Sequence, residues 1–345
     1  LARAAAIVVC VPTPVDDYLV PDLSLLRIAC ASVVAQARAG QVIMLTSTSY
    51  VGCTQDLLVD PLARRGLVAG RDVFVVFSAE RINPGNDAFS QEVVPRVLGG
   101  ATPECEAEGA ALLGRYAAQV HRVSSLEAAE MSKLLENTFR AVNIALANEF
   151  ADICAGLGVP VVEVIEAAAT KPFGFMAFYP GPGVGGHCIP CDPHYLLWQL
   201  RKSRIEAPVI TEAMSRIAAR PGHVVERIRE LLARAGDGTT GTRVLVVGVA
   251  YKGDVADLRE SPAIEILQAL DELGVEVAYC DPYVPSVRLR SGTRLESLKQ
   301  ASAFDPRLVL VHTRHTGDDL SWLTADHLVL DATYRSDDVR DRVLL

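Results

Sequence analysis

Two series of short, apolar, β-rich runs separated by helical patterns constrain the fold of this chain more than any other feature. In the first series, residues 4–11, 42–46 and 73–78 read as buried strands, with helical patterns at about 22–39 and 53–64 between them. Asp22 or Ser24 is expected to cap the first helix, and Gly40 to stop it. In the second series the strands are 243–249, 275–280, 308–312 and 327–330, and Ser261-Pro262 opens a helix that Gly274 stops. Strand and helix in this alternation build a parallel sheet covered by helices. The turn-rich run 236–241 separates the two series. Ligands of such sheets bind at the carboxyl ends of the strands. That rule points to Pro12-Thr13-Pro14, Ser47-Thr48 and Ser78-Ala79-Glu80-Arg81 in the first series, and to Lys252 with Arg259 in the second.

The middle of the chain has a different period. Ser124-Ser125-Leu126-Glu127 is a capping-box pattern opening a helix that runs to about residue 157. Leu134, Leu135, Val142, Ala145, Leu146 and Ile153 recur on its apolar side at steps of three and four. Lys133, Asn137, Arg140, Ile144 and Asn148 form a second stripe, which taken alone reads first as a solvated polar face. Helices are expected over 160–169 and 207–234, with Pro221 marking a break or kink. The glycine-rich turn that cradles a pyrophosphate is not found, since Gly156-x-Gly158 reads as a helix stop. Either the first series is not a dinucleotide site, or the chain lacks its opening βαβ unit.

The chemistry concentrates at 179–195, Y-P-G-P-G-V-G-G-H-C-I-P-C-D-P-H-Y. Glycines at 181, 183, 185 and 186 let the backbone approach a ligand closely, and Cys188 follows with Asp192 four residues on. A thiol on such a loop, with a carboxylate near, is a candidate covalent nucleophile with a water-activating partner. The competing readings are a turn and a buried, inert cysteine. Cys188-x-x-Cys191 between His187 and His194 also raises zinc, but no second ligand pair at characteristic spacing accompanies it, so no metal is expected. A net charge of −9 argues against nucleic acid as the main partner. Eight cysteines without a disulfide-like rhythm suit a reducing cytoplasm, and neither a leader nor a membrane span is read.

Together these motifs resemble the nucleotide-sugar 6-dehydrogenases of the UDP-glucose/GDP-mannose dehydrogenase family. The markers run in the family's order: V-P-T-P at 11–14, S-T at 47–48, S-A-E-R at 78–81, K-L-L-E-N at 133–137, G-G-H-C-I-P-C-D at 185–192 and A-Y-K-G-D-V-A-D-L-R-E-S-P-A at 250–263. P-G-x-G-G-H-C-I-P-x-D-P and K-P-F-G-F are similar to the branch acting on UDP-N-acetylglucosamine and UDP-N-acetylmannosamine. UDP-glucose enzymes usually have lysine where this chain has Cys191. Two departures stand out: the G-x-G-Y-V-G segment is missing, and Ser49-Tyr50 and Cys53 alter the turn after Thr48.

The resemblance implies an α/β chain of two doubly wound Rossmann-like domains joined by a central long-helix domain, with the N-terminal βαβ unit absent. The expected boundaries are 1–122 for NAD binding, 123–235 for dimerisation and catalysis, and 236–345 for UDP-sugar binding. It implies NAD-dependent, four-electron oxidation of a sugar C6 hydroxyl to a carboxylate. Cys188 would form the thiohemiacetal and thioester, Lys133 and Asn137 would donate to the oxyanion, and Asp192, Glu80 and Thr48 would hold and activate water. Pro12, Thr13, Thr48, Glu80 and Arg259 are the expected cofactor residues. Arg81, Arg140, Phe173, Phe178, Tyr179, Gly183, Gly185, Gly186, Tyr251 and Lys252 are those expected for the substrate. A homodimer built on the long helix is expected, with no nucleic-acid or membrane partner. The alternatives are a UDP-glucose 6-dehydrogenase, a 3-hydroxyacid or 6-phosphogluconate-like dehydrogenase, and an inactive sugar-nucleotide binder. The cysteine loop and the second α/β series argue against the hydroxyacid enzymes.

Overall fold

A computed structural model describes residues 1–81 and 92–345. The chain divides into two compact units, one of Leu1–Phe139 with Cys191–Ala207 and one of Arg140–Pro190 with Pro208–Leu345.

The first unit holds a five-stranded sheet in chain order: β1 (Ala6–Val9), β2 (Val42–Leu45), β3 (Phe74–Phe77), β4 (Arg96–Gly100) and β5 (Val120–Val123). β1, β2 and β3 are parallel, with Val9, Leu45 and Phe77 in register, so the loops after these strands emerge side by side. The expected all-parallel pairing is interrupted once, because β4 runs antiparallel to β3 before β5 pairs parallel to it. Helix α1 (Ser24–Gln36) packs Leu26, Cys30 and Val33 into a core with Ile43, Leu45, Val75 and Phe77. Neither Asp22 nor Ser24 is the cap expected: Leu23 stands at the cap position without a side-chain cap bond, and Asp22, one residue earlier, accepts the Ser24 backbone N–H. Helix α2 spans residues 53–64, with a π-helical turn over Gln55–Val59 and regular α-helix over Asp60–Arg64. Helix α3 (Pro103–Leu113) is capped by Thr102, whose hydroxyl accepts the Cys105 N–H, and covers the other face by packing Cys105 and Leu113 with Leu98 of β4.

Helix α4 (Leu126–Leu157) is the longest element. Its cap is Ser125, not Ser124: the Ser125 hydroxyl takes the Ala128 N–H at 3.1 Å. Its buried side carries small residues, Ala129, Ala141, Ala145, Ala147 and Ala151, along with Leu126 and Leu134. Leu135, Leu146 and Ile153, expected on the apolar side, are 65%, 49% and 45% exposed. The polar stripe departs from a solvated face in the opposite sense, since Asn137 and Asn148 are buried.

The second unit continues α4 into α5 (Val161–Ala169), whose Val161 and Ile165 join the core of this unit. Helix α6 (Asp192–Ser203) returns the chain to the first unit, and α7 (Pro208–Arg234) belongs to the second. Pro221 lies inside α7, which continues as one helix across it. The second sheet is parallel throughout, its strands lying in the order 343–344, 328–331, 308–311, 243–247 and 276–280. Its strands are β6 (Arg243–Val247), β7 (Glu276–Cys280), β10 (Leu308–Val311), β11 (Leu328–Asp331) and β12 (Val343–Leu344), with a hairpin of β8 (Ser286–Arg288) and β9 (Arg294–Glu296) beside them. Helix α8 (Pro262–Glu272) and α7 pack on one face through Ile266, Leu267, Val224 and Ile228. The other face is covered by Leu320, Trp322 and Phe304. Ser261 does not cap α8 with its side chain; its hydroxyl donates to the Val249 carbonyl at 2.6 Å, tying the helix to the strand before it.

Candidate functional site

In the first unit, α4 presents Lys133 and Asn137 one turn apart. Lys133 Nζ donates to the Glu80 carbonyl at 2.8 Å. Asn137, buried, donates through Nδ2 to Asp192 Oδ2. Asp192 is the first residue of α6 and is 4% exposed. Burial pushes its carboxyl from 3.8 up to about 6, opposed by the Asn137 hydrogen bond and the Lys133 charge. A carboxyl so placed is a base matched to neutral pH. The sequence gives a signal for α6 that its reading did not use: Asp192-Pro193 puts an acid and a proline in a first helical turn.

Glu80 lies just beyond β3 and is fixed from two sides. Its Oε1 accepts Arg96 Nη1 and the Arg81 N–H, both at 2.7 Å. Arg81 in turn reaches the Pro95 carbonyl at 2.6 Å and pairs with Glu136. Pro12 is exposed and Thr13 buried, with the Thr13 carbonyl accepting the Tyr195 hydroxyl at 2.9 Å. Ser47 accepts the Val11 N–H and donates to the Val11 carbonyl, closing the β1 and β2 ends together. Thr48 is half-buried in the turn that follows. A residue the sequence reading missed supports that turn. Glu130 of α4 is 2% exposed and accepts the Gly52 N–H, the Thr54 N–H and the Thr54 hydroxyl at the start of α2. Burial raises its carboxyl above the ordinary range.

In the second unit, the glycine-rich stretch folds against the loop after β6. A side chain at Gly185 would meet Tyr251 Cβ at 2.5 Å and the Glu260 carbonyl at 2.8 Å. At Gly186, whose φ is +84°, it would lie 3.1 Å from the Tyr251 ring. These two glycines are therefore required by the chain's own packing, in addition to the ligand approach expected of them. The Gly186 N–H donates to the Arg259 carbonyl at 2.8 Å. Cys188 is exposed, with Tyr251 and Arg259 within electrostatic reach of its thiol. Arg259 is held bidentate by Asp257 at 2.6 and 3.0 Å, in its own loop. Lys252 is half-buried, and burial and then Arg140 lower its pKa. Tyr179 lies under the Arg335 guanidinium at 5.2 Å, while Phe173 and Arg140 are exposed and Phe178 is half-buried.

None of the eight cysteines is disulfide-bonded. Among the described residues no three His, Cys, Asp or Glu side chains converge as a metal site, and no helix is long and apolar enough to cross a membrane.

A sheet with a cluster of a lysine, an amide and a buried carboxylate in one unit, and a cysteine loop on a second α/β sheet in the other, is the frame of a sugar-nucleotide dehydrogenase. The chain belongs to the UDP-glucose/GDP-mannose dehydrogenase family, matching its NAD binding domain over residues 1–117, its central domain over 127–218 and its UDP binding domain over 245–334. It is 35% identical over 287 residues to a UDP-N-acetyl-D-glucosamine 6-dehydrogenase of Pseudomonas aeruginosa, covering 82% of this chain and 67% of that protein. It is 34% identical over 279 residues to a UDP-N-acetyl-D-mannosamine dehydrogenase of Salmonella typhi, covering 78% and 66%. The solved UDP-D-ManNAc dehydrogenase of Pyrococcus horikoshii superposes with a TM-score of 0.88 at 28% identity, over 99% of this chain and 80% of that one. The chain thus spans about two thirds of the length of the curated relatives it matches.

Proposed function

We propose that this chain oxidises the C6 hydroxyl of a UDP-N-acetylhexosamine to the uronate in an NAD-dependent, four-electron reaction. One observation carries the reading: a buried Asp192 carboxyl, raised to about 6, held by Asn137 one helical turn from Lys133. The relatives named for acetamido sugars favour that substrate class over UDP-glucose.

The residues present fit one flank of a dinucleotide. The ends of β1, β2 and β3 emerge in register, and Ser78 Oγ is buried beside them without a hydrogen-bond partner among the described residues. Pro12, Thr13, Thr48 and Glu80, with Arg259, would hold NAD, which when bound supplies the acceptor for one hydride in each of the two oxidations. Lys252 would bind the nucleotide. Arg81, Arg140, Tyr251 and the 173–186 loop would contact the sugar nucleotide.

The remaining chemistry belongs to side chains. Asp192, with Glu80 and Thr48, holds the water that takes the hydroxyl proton in the first oxidation. Lys133 and Asn137 donate to the oxygen as it gains charge; the ammonium has three N–H donors and the amide two, so each keeps capacity beyond its present bond. Cys188 sulfur bonds to the aldehyde carbon, giving a thiohemiacetal, and loss of the second hydride leaves a thioester. Water deprotonated by Asp192 then adds to the thioester carbon, the C–S bond breaks, and the thiol recovers its proton. One water is consumed, and the thiol is regenerated.

The test is the NADH formed per sugar with UDP-GlcNAc, UDP-ManNAc and UDP-glucose. Two NADH per acetamido sugar is expected. Release at one NADH, or preference for UDP-glucose, defeats the mechanism or the substrate choice respectively. On this reading the chain works as three functional segments, 1–122, 123–235 and 236–345, in a cytoplasmic homodimer built on the exposed apolar flank of α4.

A further inference from the structure

The glycine-rich stretch is anchored at its entry by a feature the reaction itself does not call for. Both sides of Gly181 are held: its N–H donates to Asn148 Oδ1 at 2.9 Å, and its carbonyl accepts Arg220 Nε at 3.1 Å. Asn148 belongs to α4 and Arg220 to α7, and they are 6% and 4% exposed. The rest of the Arg220 fork is also engaged, with Nη1 on Asp152 Oδ1 at 2.7 Å and Nη2 near the Tyr334 hydroxyl at 3.4 Å. A buried guanidinium leaves water at considerable cost, so its oxygen partners must be fixed. Here they come from α4, from the glycine stretch and from the loop after β11.

The same stretch is anchored again where it ends. Gly183 lies against Pro262 at the start of α8, and the Gly186 N–H bonds the Arg259 carbonyl. Only one residue then separates Gly186 from Cys188. Displacing the Gly181 end therefore leaves the stretch that leads to Cys188 held only by its Gly183 and Gly186 contacts. An error of about 1 Å at a reacting atom costs on the order of a hundredfold in rate.

We infer that Arg220 and Asn148 are positioning residues that clamp the Gly181 peptide and so set the placement of the Cys188 thiol without touching substrate. The inference rests on the reading of Cys188 as the nucleophile. Its test compares Arg220→Lys, which keeps a cation opposite Asp152 and loses the fork, with Asn148→Leu, which removes the acceptor, and Asn148→Asp, which restores one. Three quantities are measured on the full chain: the kcat and KM split, the rate at which iodoacetamide alkylates Cys188 as resolved by peptide mass spectrometry, and the melting temperature.

Arg220→Lys and Asn148→Leu should each lower kcat by about tenfold or more and change Cys188 alkylation by about threefold, with KM for NAD near that of the parent. Asn148→Asp should return both toward the parent. If Arg220→Lys does not fold, the Asn148 pair decides. Variants that lose melting temperature yet keep parental kcat and alkylation, both measured well below melting, mean a merely structural clamp and overturn the inference. A parent chain that oxidises no sugar nucleotide overturns the functional reading instead, and the alkylation series still judges the clamp.

Discussion

Asp192 is stabilised as an acid, and that has a thermodynamic signature. A carboxyl whose folded pKa stands near 6, above its model-peptide value of 3.8, binds its proton more tightly in the folded chain. Its contribution to stability is therefore fully present below 3.8 and is lost as pH rises through about 6. Asn at this position keeps an oxygen to accept from Asn137 and has no charge to bury. Asp192→Asn should accordingly be more stable than the parent at pH 8, by up to about 3 kcal/mol, and equal to it near pH 3.5, as read by denaturant unfolding at both values. The same variant should lose turnover and accumulate a Cys188-linked adduct, visible by intact-protein mass spectrometry after mixing with NAD and substrate. The two cysteines of the motif should separate cleanly. Cys188 is exposed, whereas Cys191 is buried at the cap position of α6. Cys188→Ser should reduce NADH formation by several orders of magnitude, because a hydroxyl at its ordinary pKa is a far weaker nucleophile than a thiolate. Cys191→Ser should stay active. The reverse result would reassign the nucleophile.

At the scale of elements, the strands and long helices were legible because each declares itself by local period. The observed β1, β2, β3, β6, β7, β10 and β11 fall within or one residue beyond the runs read as strands. What was not legible depends on partners distant in the chain. The segment of β4, α3 and β5 carries no strong motif, and the antiparallel direction of β4 against β3 is a matter of pairing rather than of composition. Asn137 and Asn148 read as a wet stripe because nothing local announces Asp192 and Gly181 as their partners, 55 and 33 residues away. Glu130 shows the same difficulty: in E-A-A-E-M it looks like solvated helix surface, yet its carboxylate holds the start of α2 from 76 and 78 residues off. Glu130→Ala leaves two backbone donors and a hydroxyl without their acceptor and should cost at least about 2 kcal/mol in denaturant unfolding. Glu130→Gln, keeping one oxygen, should cost less. Equal stability of the alanine variant would show that other groups satisfy the turn.

At the scale of the molecule, α4 raises the question of what covers its outer flank. Leu135, Phe139, Leu146, Phe150, Ile153 and Leu157 recur at steps of three, four and seven and are 45–73% exposed. A stripe of that length on one helix is more apolar surface than a monomer usually leaves in water. Light scattering at micromolar concentration should give twice the chain mass, and Phe150→Asp with Ile153→Asp should halve it. A monomeric parent would leave the stripe without the proposed role. The glycines at 185 and 186 have a consequence of another kind, for how such an enzyme can diversify. Their missing side chains are demanded by Tyr251 and the Glu260 carbonyl, which belong to the protein and stay the same whichever sugar is bound. Even alanine at 251 would retain the Cβ that Gly185 abuts. In a library selected for activity on a new sugar nucleotide, Gly185 should remain invariant among the survivors. Novelty should collect instead at exposed positions of the preceding loop, such as Phe173 and Met176, so the motif that looks most like a substrate signature would be the part least able to record a change of substrate.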